Sequence, residues 1–333
     1  MTLLDSEEPT LHLSSKKSKF LIFILSLSIV ALVLLGTAES ISYSRASEKI
    51  EFYNVNKGAS FNSILDDFAV NPFEKILLKI YLKKNKIQVA QAGHYYLKNK
   101  SWKEIFFSVS SGDVITYKFK IPSGKNLYEI KKIISESNFH NDCNNFDCLD
   151  DQLNYIEGTL KPDTYFYKHS SSLAKILKKS QNDFLQLASN LWVKKNPQLP
   201  IKNLSDAIIL ASIVEKEAGN ENEKPIIAGV FLHRISIGMK LQADPTIIYG
   251  LLPNFNGDIT KANLRDKNNP YNTYQIPGLP PTPISTISKS SLEAVILGMK
   301  NDYLYFVAKG DGTHKFSKTY KEHLDAVNRY QLN

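Results

Sequence analysis

Residues 20–38 carry no charged side chain and consist mainly of Leu, Ile, Val and Phe, which leaves few ways to fold them. About 19 residues at roughly 1.5 Å rise per residue just cross a hydrocarbon core as a helix. Lys16, Lys17 and Lys19 precede the run and Glu39 follows it. The positive-inside bias then leaves residues 1–19 as a cytoplasmic tail and places everything after the run beyond a cell (inner) membrane, periplasmic or extracytoplasmic. A cleaved signal peptide is the competing reading. The run exceeds a usual signal-peptide apolar core, however, and residues 37–40 (Thr-Ala-Glu-Ser) make a poor small-x-small cleavage site. A single-pass transmembrane helix is therefore expected over 20–38, with a polar linker over 39–50.

With 333 residues, 43% of them hydrophobic, the chain can bury one sizeable core and has room for two domains. Residues 52–65 read as a short strand, a turn at Lys57 and Gly58, and a helix opening at Ser60 whose apolar face is Ile64, Leu65 and Phe68. The pattern returns at 117–134: an alternating strand, a turn at Ser123 and Gly124, then helical spacing at Leu127, Ile130, Ile133 and Ile134. Two such units suggest an imperfect internal repeat. Cys143 and Cys148 are the only cysteines. In an oxidising compartment they are a disulfide candidate, and without nearby histidines they make only half a metal site.

Further on, Leu204, Ala207, Ala211, Val214 and Ala218 recur at spacings of three and four, the stripe of a helix that Gly219 would stop. Glu215 and Glu217 sit in its last turn, where the negative end of the macrodipole favours the protonated carboxyl. Glu217 follows Ile213 and Leu210, and Glu215 follows Ala211 and Ile208, so apolar neighbours press on both alike. A carboxyl kept protonated near neutral pH suits a general acid. The wheel does not choose between the two, and a Glu-Lys-Glu run at a helix end is by itself most often a solvated face. A second helix is expected to open at Asn220, paired with Glu223 in a capping box, and to bury Ile226, Ile227, Val230, Phe231 and Ile235. Residues 241–246 read as a loop closed by Pro245, 304–307 and 314–316 as a hairpin, and 318–330 as a closing helix.

Residues 211–217 (Ala-Ser-Ile-Val-Glu-Lys-Glu) and 230–250 (Val-Phe-Leu-His-Arg-Ile-Ser-Ile-Gly-Met-Lys-Leu-Gln-Ala-Asp-Pro-Thr-Ile-Ile-Tyr-Gly) closely resemble the core of the endolytic murein transglycosylase, or YceG-like, family. Residues 156–165, 271–274, 278–284, 303–308 and 312–316 resemble further blocks of that family in the family's order. The resemblance implies that Glu217, the second glutamate of the triplet, is the catalytic acid/base. It also implies an α+β fold in which a small LysM-like α+β module, a sugar binder or a plain spacer in the region 51–150, precedes a larger catalytic domain at 151–333. Residues 93–97 (Gly-His-Tyr-Tyr-Leu) resemble the middle of that module. Lys161 stands where the family often has an aromatic, and His233 where it usually has an asparagine.

No His-Glu-x-x-His, Walker loop, Gly-x-Ser-x-Gly or Gly-x-Gly-x-x-Gly motif occurs, and neither a metal nor a cofactor is expected. The net charge of +8 is spread without one dense basic patch. Attraction to an anionic membrane or wall polymer is preferred to nucleic acid. The resemblance implies cleavage of the MurNAc-GlcNAc bond of peptidoglycan with a 1,6-anhydro end, a terminase-like role in nascent glycan elongation, and peptidoglycan synthases as partners. Candidate substrate-binding residues are Gln242, Asp244, Thr246, Tyr271, Asn272 and His314; Tyr274 is another aromatic of that region, and Glu157 and Asp163 are further polar groups. The alternatives are a non-enzymatic wall-binding membrane scaffold, and a muramidase recruiting a second carboxylate from Glu215, Asp244 or Glu157.

Overall fold

The computed structural model describes residues 15–46 and 50–332. Most of the expected cytoplasmic tail, and positions 47–49 of the expected linker, lie outside these residues. The chain divides into two compact units, Met1–Thr116 and Tyr117–Asn333.

In the first unit, α1 (Ser15–Ser42) contains the apolar run and is, among the described residues, the one helix long and apolar enough to cross a membrane. Phe20, Leu21, Phe23, Leu27 and Leu32 on it stand exposed, whereas Ala38 and Ser42 near its end are fully buried. β1 (Phe52–Val55), α2 (Phe61–Asp67), α3 (Pro72–Lys84), β2 (Gly93–Tyr96) and α4 (Trp102–Ser111) complete the unit. β1 and β2 pair antiparallel, with Val55 opposite Gly93. Ser60 caps α2 in a capping box with Ser63, as the turn at Lys57 and Gly58 leads one to expect, and Ile64 and Leu65 are buried. The core gathers Trp102, Phe106, Leu77, Leu78 and Tyr95 around Ala38.

The sequence suggests a polar linker over 39–50, but the end of α1 packs on α3, and Lys84 Nζ meets Glu39 at 2.8 Å. Residues just beyond it are tied to the start of α4: the Trp102 N–H donates to Ser44 O and the Ala46 N–H to Lys100 O, each at 3.2 Å. A helix whose last turn buries an alanine in a core has no freedom left to act as a tether.

The second unit begins with β3 (Thr116–Ile121) and α5 (Leu127–Ser135), then β4 (Asp163–Lys168) and α6 (Leu173–Trp192). Its central helices are α7 (Leu204–Glu217) and α8 (Lys224–Ser236), followed by α9 (Asp244–Gly250), α10 (Lys261–Arg265), α11 (Lys289–Leu297), β5 (Tyr305–Ala308), β6 (His314–Ser317) and α12 (Tyr320–Gln331). The architecture is mixed helix and sheet, with three two-stranded sheets among the described residues.

Residues 117–150, grouped by sequence with the preceding module, pack instead against residues beyond position 150. β3 pairs with β4, and Phe119, Ile121 and Ile130 share one core with Leu160, Tyr165, Leu173 and Leu177. Cys143 and Cys148 are joined in a disulfide with their Cα atoms 5.2 Å apart, and Cys143 and Phe146 plug that core.

The larger core surrounds α7. The sequence stripe predicts one buried face, yet Ala207 through Val214 are all buried, because α8, α11, α6 and α9 pack around it. A helix covered on all sides needs apolar residues on all sides, and Ile208, Ile209, Leu210 and Ile213 supply them.

Candidate active site

The end of α7 differs from its sequence reading in a way that matters for the site. The last helical residue is Glu217, and Ala218 follows in an extended conformation (φ −72°, ψ 122°). Gly219 is required for a different reason than a left-handed stop. A Cβ there would stand 2.5 Å from the carbonyl oxygen of Gly312 in the β5–β6 turn, whose oxygen also accepts from Asn220 Nδ2 at 3.1 Å. Gly219→Ala is expected to push that turn away from the end of α7 and cost about 1–3 kcal/mol as an overpacking substitution. Thermal melts of the variant check this, and a wild-type melting temperature would remove the close-approach account.

The two glutamates part company at this helix end. Glu215 is turned into the structure. Its Oε2 accepts from the Ser288 N–H at 3.1 Å, Ser288 Oγ at 2.5 Å and Ser291 Oγ at 2.6 Å, with Lys224 Nζ at 3.5 Å. Burial presses its pKa upward, but these hydroxyls and the ammonium outweigh it and hold the carboxyl below its ordinary value. Glu215 is thus an ionised clamp between α7, α8 and the start of α11.

The Glu217 carboxyl, by contrast, makes no hydrogen bond among the described residues. Loss of water around it, followed by the nearby charge of Asp244, pushes its pKa up to about 8, while Arg234 pulls the other way. A carboxyl with that balance keeps its proton at neutral pH and still tolerates losing it. Both halves of an acid-then-base cycle are therefore within reach.

The groups that set this balance come from two elements, α8 and α9. Arg234 on α8 is buried, donates from Nε to Leu304 O at 2.7 Å and from Nη1 to Leu241 O at 2.5 Å, and lies 5.6 Å from the Tyr305 ring centroid. It ties α8 to the approach to α9 and to the start of β5. Asp244 opens α9, so of the loop expected over 241–246 only 241–243 stay irregular and 244–246, with Pro245, form the first turn of a helix. Its Oδ1 accepts from Tyr274 Oη at 2.7 Å, and burial, then this bond, raises the Tyr274 hydroxyl well above its ordinary value. Gln242 is exposed and holds a left-handed backbone (φ 50°), an uncommon state for a side chain of that size.

Of the residues singled out by sequence, Glu217 and Asp244 thus share one field with Arg234 and Tyr274, and Gln242 lies two residues before Asp244. Thr246 is fully buried, donating from Oγ1 to Ala243 O at 2.6 Å and bonding Thr273 Oγ1 at 2.9 Å. Asn272 is also fully buried: its Nδ2 reaches Asn263 O at 3.0 Å and Asp266 O at 2.8 Å, and its Oδ1 accepts from the Tyr274 N–H at 3.1 Å. These two residues shape the loops and have no face left for a sugar. Tyr271 packs edge-on against Tyr249 with centroids 4.8 Å apart and bonds Thr282 at 2.8 Å.

His314 has its own partner. Glu223, expected to cap its own helix, turns both carboxylate oxygens to the His314 N–H and Nδ1, each at 2.7 Å. Asn220 instead caps a short turn at Glu221–Glu223, and α8 starts at Lys224. Glu157 is buried, accepts from the Leu127 N–H and Tyr249 Oη at 3.0 Å and the Gly158 N–H at 3.1 Å, and burial lifts its pKa to about 7. Asp163 is exposed and pairs with Lys161 at 3.0 Å. His233 leaves Nδ1 buried without a hydrogen-bond partner among the described residues.

The sequence reading missed Arg234. Its signal was present as one cation inside an otherwise apolar helix face, between Phe231 and Ile235. Among the described residues no group of three or more His, Cys, Asp or Glu is placed to hold a metal ion.

An endolytic murein transglycosylase of Bacillus subtilis is 38% identical over 179 residues, 53% of this chain and 48% of that protein. One from Streptococcus pneumoniae is 33% identical over 159 residues, 46% of this chain and 28% of that protein. The chain thus spans about half, or less, of the length of these curated relatives. A Listeria monocytogenes protein described as YceG-like superposes with a TM-score of 0.55 at 27% identity, covering 84% of this chain and 98% of the other. The model of the YceG-like family matches residues 53–329, a span that contains Glu217 and every group that sets its proton affinity, and the chain belongs to that family.

Proposed function

We propose that the protein is a membrane-anchored endolytic lytic transglycosylase that cuts the MurNAc-GlcNAc bond within peptidoglycan strands. The single observation that carries this is Glu217, a carboxyl without a hydrogen-bond partner among the described residues at the end of a buried helix, where loss of water pushes its pKa up to about 8. The curated relatives named endolytic murein transglycosylases support the substrate class.

In this scheme the Glu217 carboxyl gives its proton to the glycosidic oxygen as the bond to the anomeric carbon breaks, and the GlcNAc end leaves as an alcohol. The 6-hydroxyl of the same MurNAc closes on the anomeric carbon, its proton passes to the Glu217 carboxylate, and the acid is restored without consuming water. Because the nucleophile is tethered to its target, effective molarity replaces a second catalytic carboxylate. Arg234 steadies Glu217 while it is ionised. Asp244 opposes the positive charge that develops on the ring, and Gln242 and Tyr274 orient the sugar. Glu215 and Glu157 each accept three or more hydrogen bonds from the protein, which favours this one-acid scheme over a muramidase using either.

α1 anchors the chain, with its lysine-flanked start in the cytoplasm and the remainder beyond the membrane. There it trims growing strands alongside peptidoglycan synthases. Purified glycan strands treated with the protein should yield an anhydro-MurNAc end, lighter by one water than a hydrolysed end on mass spectrometry. A reducing MurNAc end would replace the mechanism with a muramidase, and intact strands would leave the non-enzymatic scaffold.

A further inference from the structure

The first unit holds a cavity of about 1080 Å³ that the strand-cutting scheme does not use. Tyr43, the residue after the last of α1, lines it together with the end of α3 and one flank of α4. Four lining side chains are cations, Arg45, Lys86, Lys100 and Lys103, against a single acid, Glu104. Glu104 is already engaged in capping α4, accepting from the Ser101 N–H at 2.8 Å and Ser101 Oγ at 2.7 Å. Lys103 donates to Tyr43 Oη at 2.6 Å and Lys100 to Ser108 Oγ at 3.0 Å. Both hydrogen-bond partners are neutral hydroxyls, and Glu104 and Glu39, the carboxylates whose charges act on these ammonium groups, offset their positive charge only in part.

The position of the cavity is set by α1. A hydrocarbon core about 30 Å deep takes up about 20 helical residues, so a span starting after Lys19 ends near Glu39, and Tyr43 lies about 6 Å beyond, within the headgroup layer. The burial of Ala38 and the Lys84–Glu39 pair fix the unit to the helix at this depth. Phe107, 71% exposed, adds an apolar wall.

We propose that this cavity binds the phosphate of an anionic lipid in the far leaflet, the ammonium groups taking the phosphate oxygens and Phe107 the glycerol and upper acyl chain. The inference rests on the membrane-anchor part of the function proposed above and is independent of strand cutting. Asn85, Asn99 and Tyr81 also line the cavity and suit a neutral glycan, but the excess of four cations over one acid is what favours an anion.

The full-length chain in non-ionic detergent, followed by native mass spectrometry, should retain phosphatidylglycerol in preference to phosphatidylcholine. A Lys86→Gln, Lys100→Gln, Lys103→Gln variant should bind roughly a hundredfold more weakly, at about fivefold per cation removed. The corresponding triple arginine variant should bind as the wild type does, which separates lost charge from a damaged fold, and both variants should cut strands at the wild-type rate. Equal retention of the two lipids, or undiminished binding by the triple glutamine variant, overturns the proposal. Displacement of the lipid by millimolar inorganic phosphate assigns the cavity to soluble phosphate, and displacement by N-acetylglucosamine oligomers assigns it to glycan; either result overturns it too. The lipid-retention readouts need neither a bilayer nor turnover, so failure of the activity or of the anchor would leave them legible.

Discussion

Glu217→Gln is expected to lower strand cleavage by about two to four orders of magnitude, the usual contribution of general acid/base catalysis, while leaving the protein folded and able to bind glycan. Gln has the shape of the protonated carboxyl that the folded chain already favours, so the substitution removes the transferable proton and little else. Wild-type cleavage should decline as pH rises through about 8, where Glu217 loses its proton.

Stability should follow the same group. The folded chain holds this proton up to about pH 8 whereas the ordinary glutamate value is 4.5, so the folded state binds the extra proton between those values. The associated stability is fully present below the lower pH and is lost as pH rises through the upper one. The glutamine variant has no such loss. Its melting temperature should therefore exceed that of the wild type by a margin that widens from pH 5 to pH 8. A variant that cuts strands at near wild-type rate, or that melts lower than wild type at pH 8, would remove Glu217 from the role of buried acid.

Glu215→Gln should show the opposite division, with a large cost in stability and a small one in chemistry. The lost carboxylate accepts from Ser288 and Ser291 and faces Lys224, its side chain 6% exposed. An amide meets the same donors with a neutral oxygen and a competing N–H. Removing one partner of a buried ion pair costs about 3–5 kcal/mol, and because Glu221 still pairs with Lys224 the lower end, about 3 kcal/mol, is expected. For a unit of this size that corresponds to a melting temperature lower by roughly 10 °C. Turnover per folded molecule at low temperature should stay within a few-fold of wild type. Unchanged melting with abolished turnover would reverse the assignment of the two glutamates.

The comparison of these two residues shows where the sequence stopped being sufficient. Local patterning located the apolar run of α1, the paired strand-turn-helix units, the β5–β6 hairpin and the helix bearing both carboxylates, since each depends on periodicity or turn chemistry within a few residues. It could not separate Glu215 from Glu217, because both follow apolar residues at the same helical spacing. The partners that separate them, Ser288 and Ser291 on one side and Arg234 and Asp244 on the other, are brought in by tertiary contacts. The same limit applies to Thr246, Asn272 and Gly219: a hydroxyl or amide in a polar loop looks free to meet a sugar until its donors and acceptors are taken by neighbouring backbone, and a glycine after a helix looks like a stop until another chain segment is found pressing against it.

What the sequence determined by itself was therefore the inventory: a membrane-length apolar helix, an α+β chain with a disulfide-spaced cysteine pair, and a helix end with two carboxylates set in family-like motifs. The tertiary structure alone decided that 117–150 pack with the second unit, that α1 is built into the first, and that Glu215 is hydrogen-bonded within the fold whereas Glu217, the glutamate the family resemblance had pointed to, is not. The physical reason is that burial and electrostatic environment are properties of what surrounds a side chain in space, and the groups that surround Glu217 are drawn from positions up to 57 residues away in the chain, as Tyr274 is.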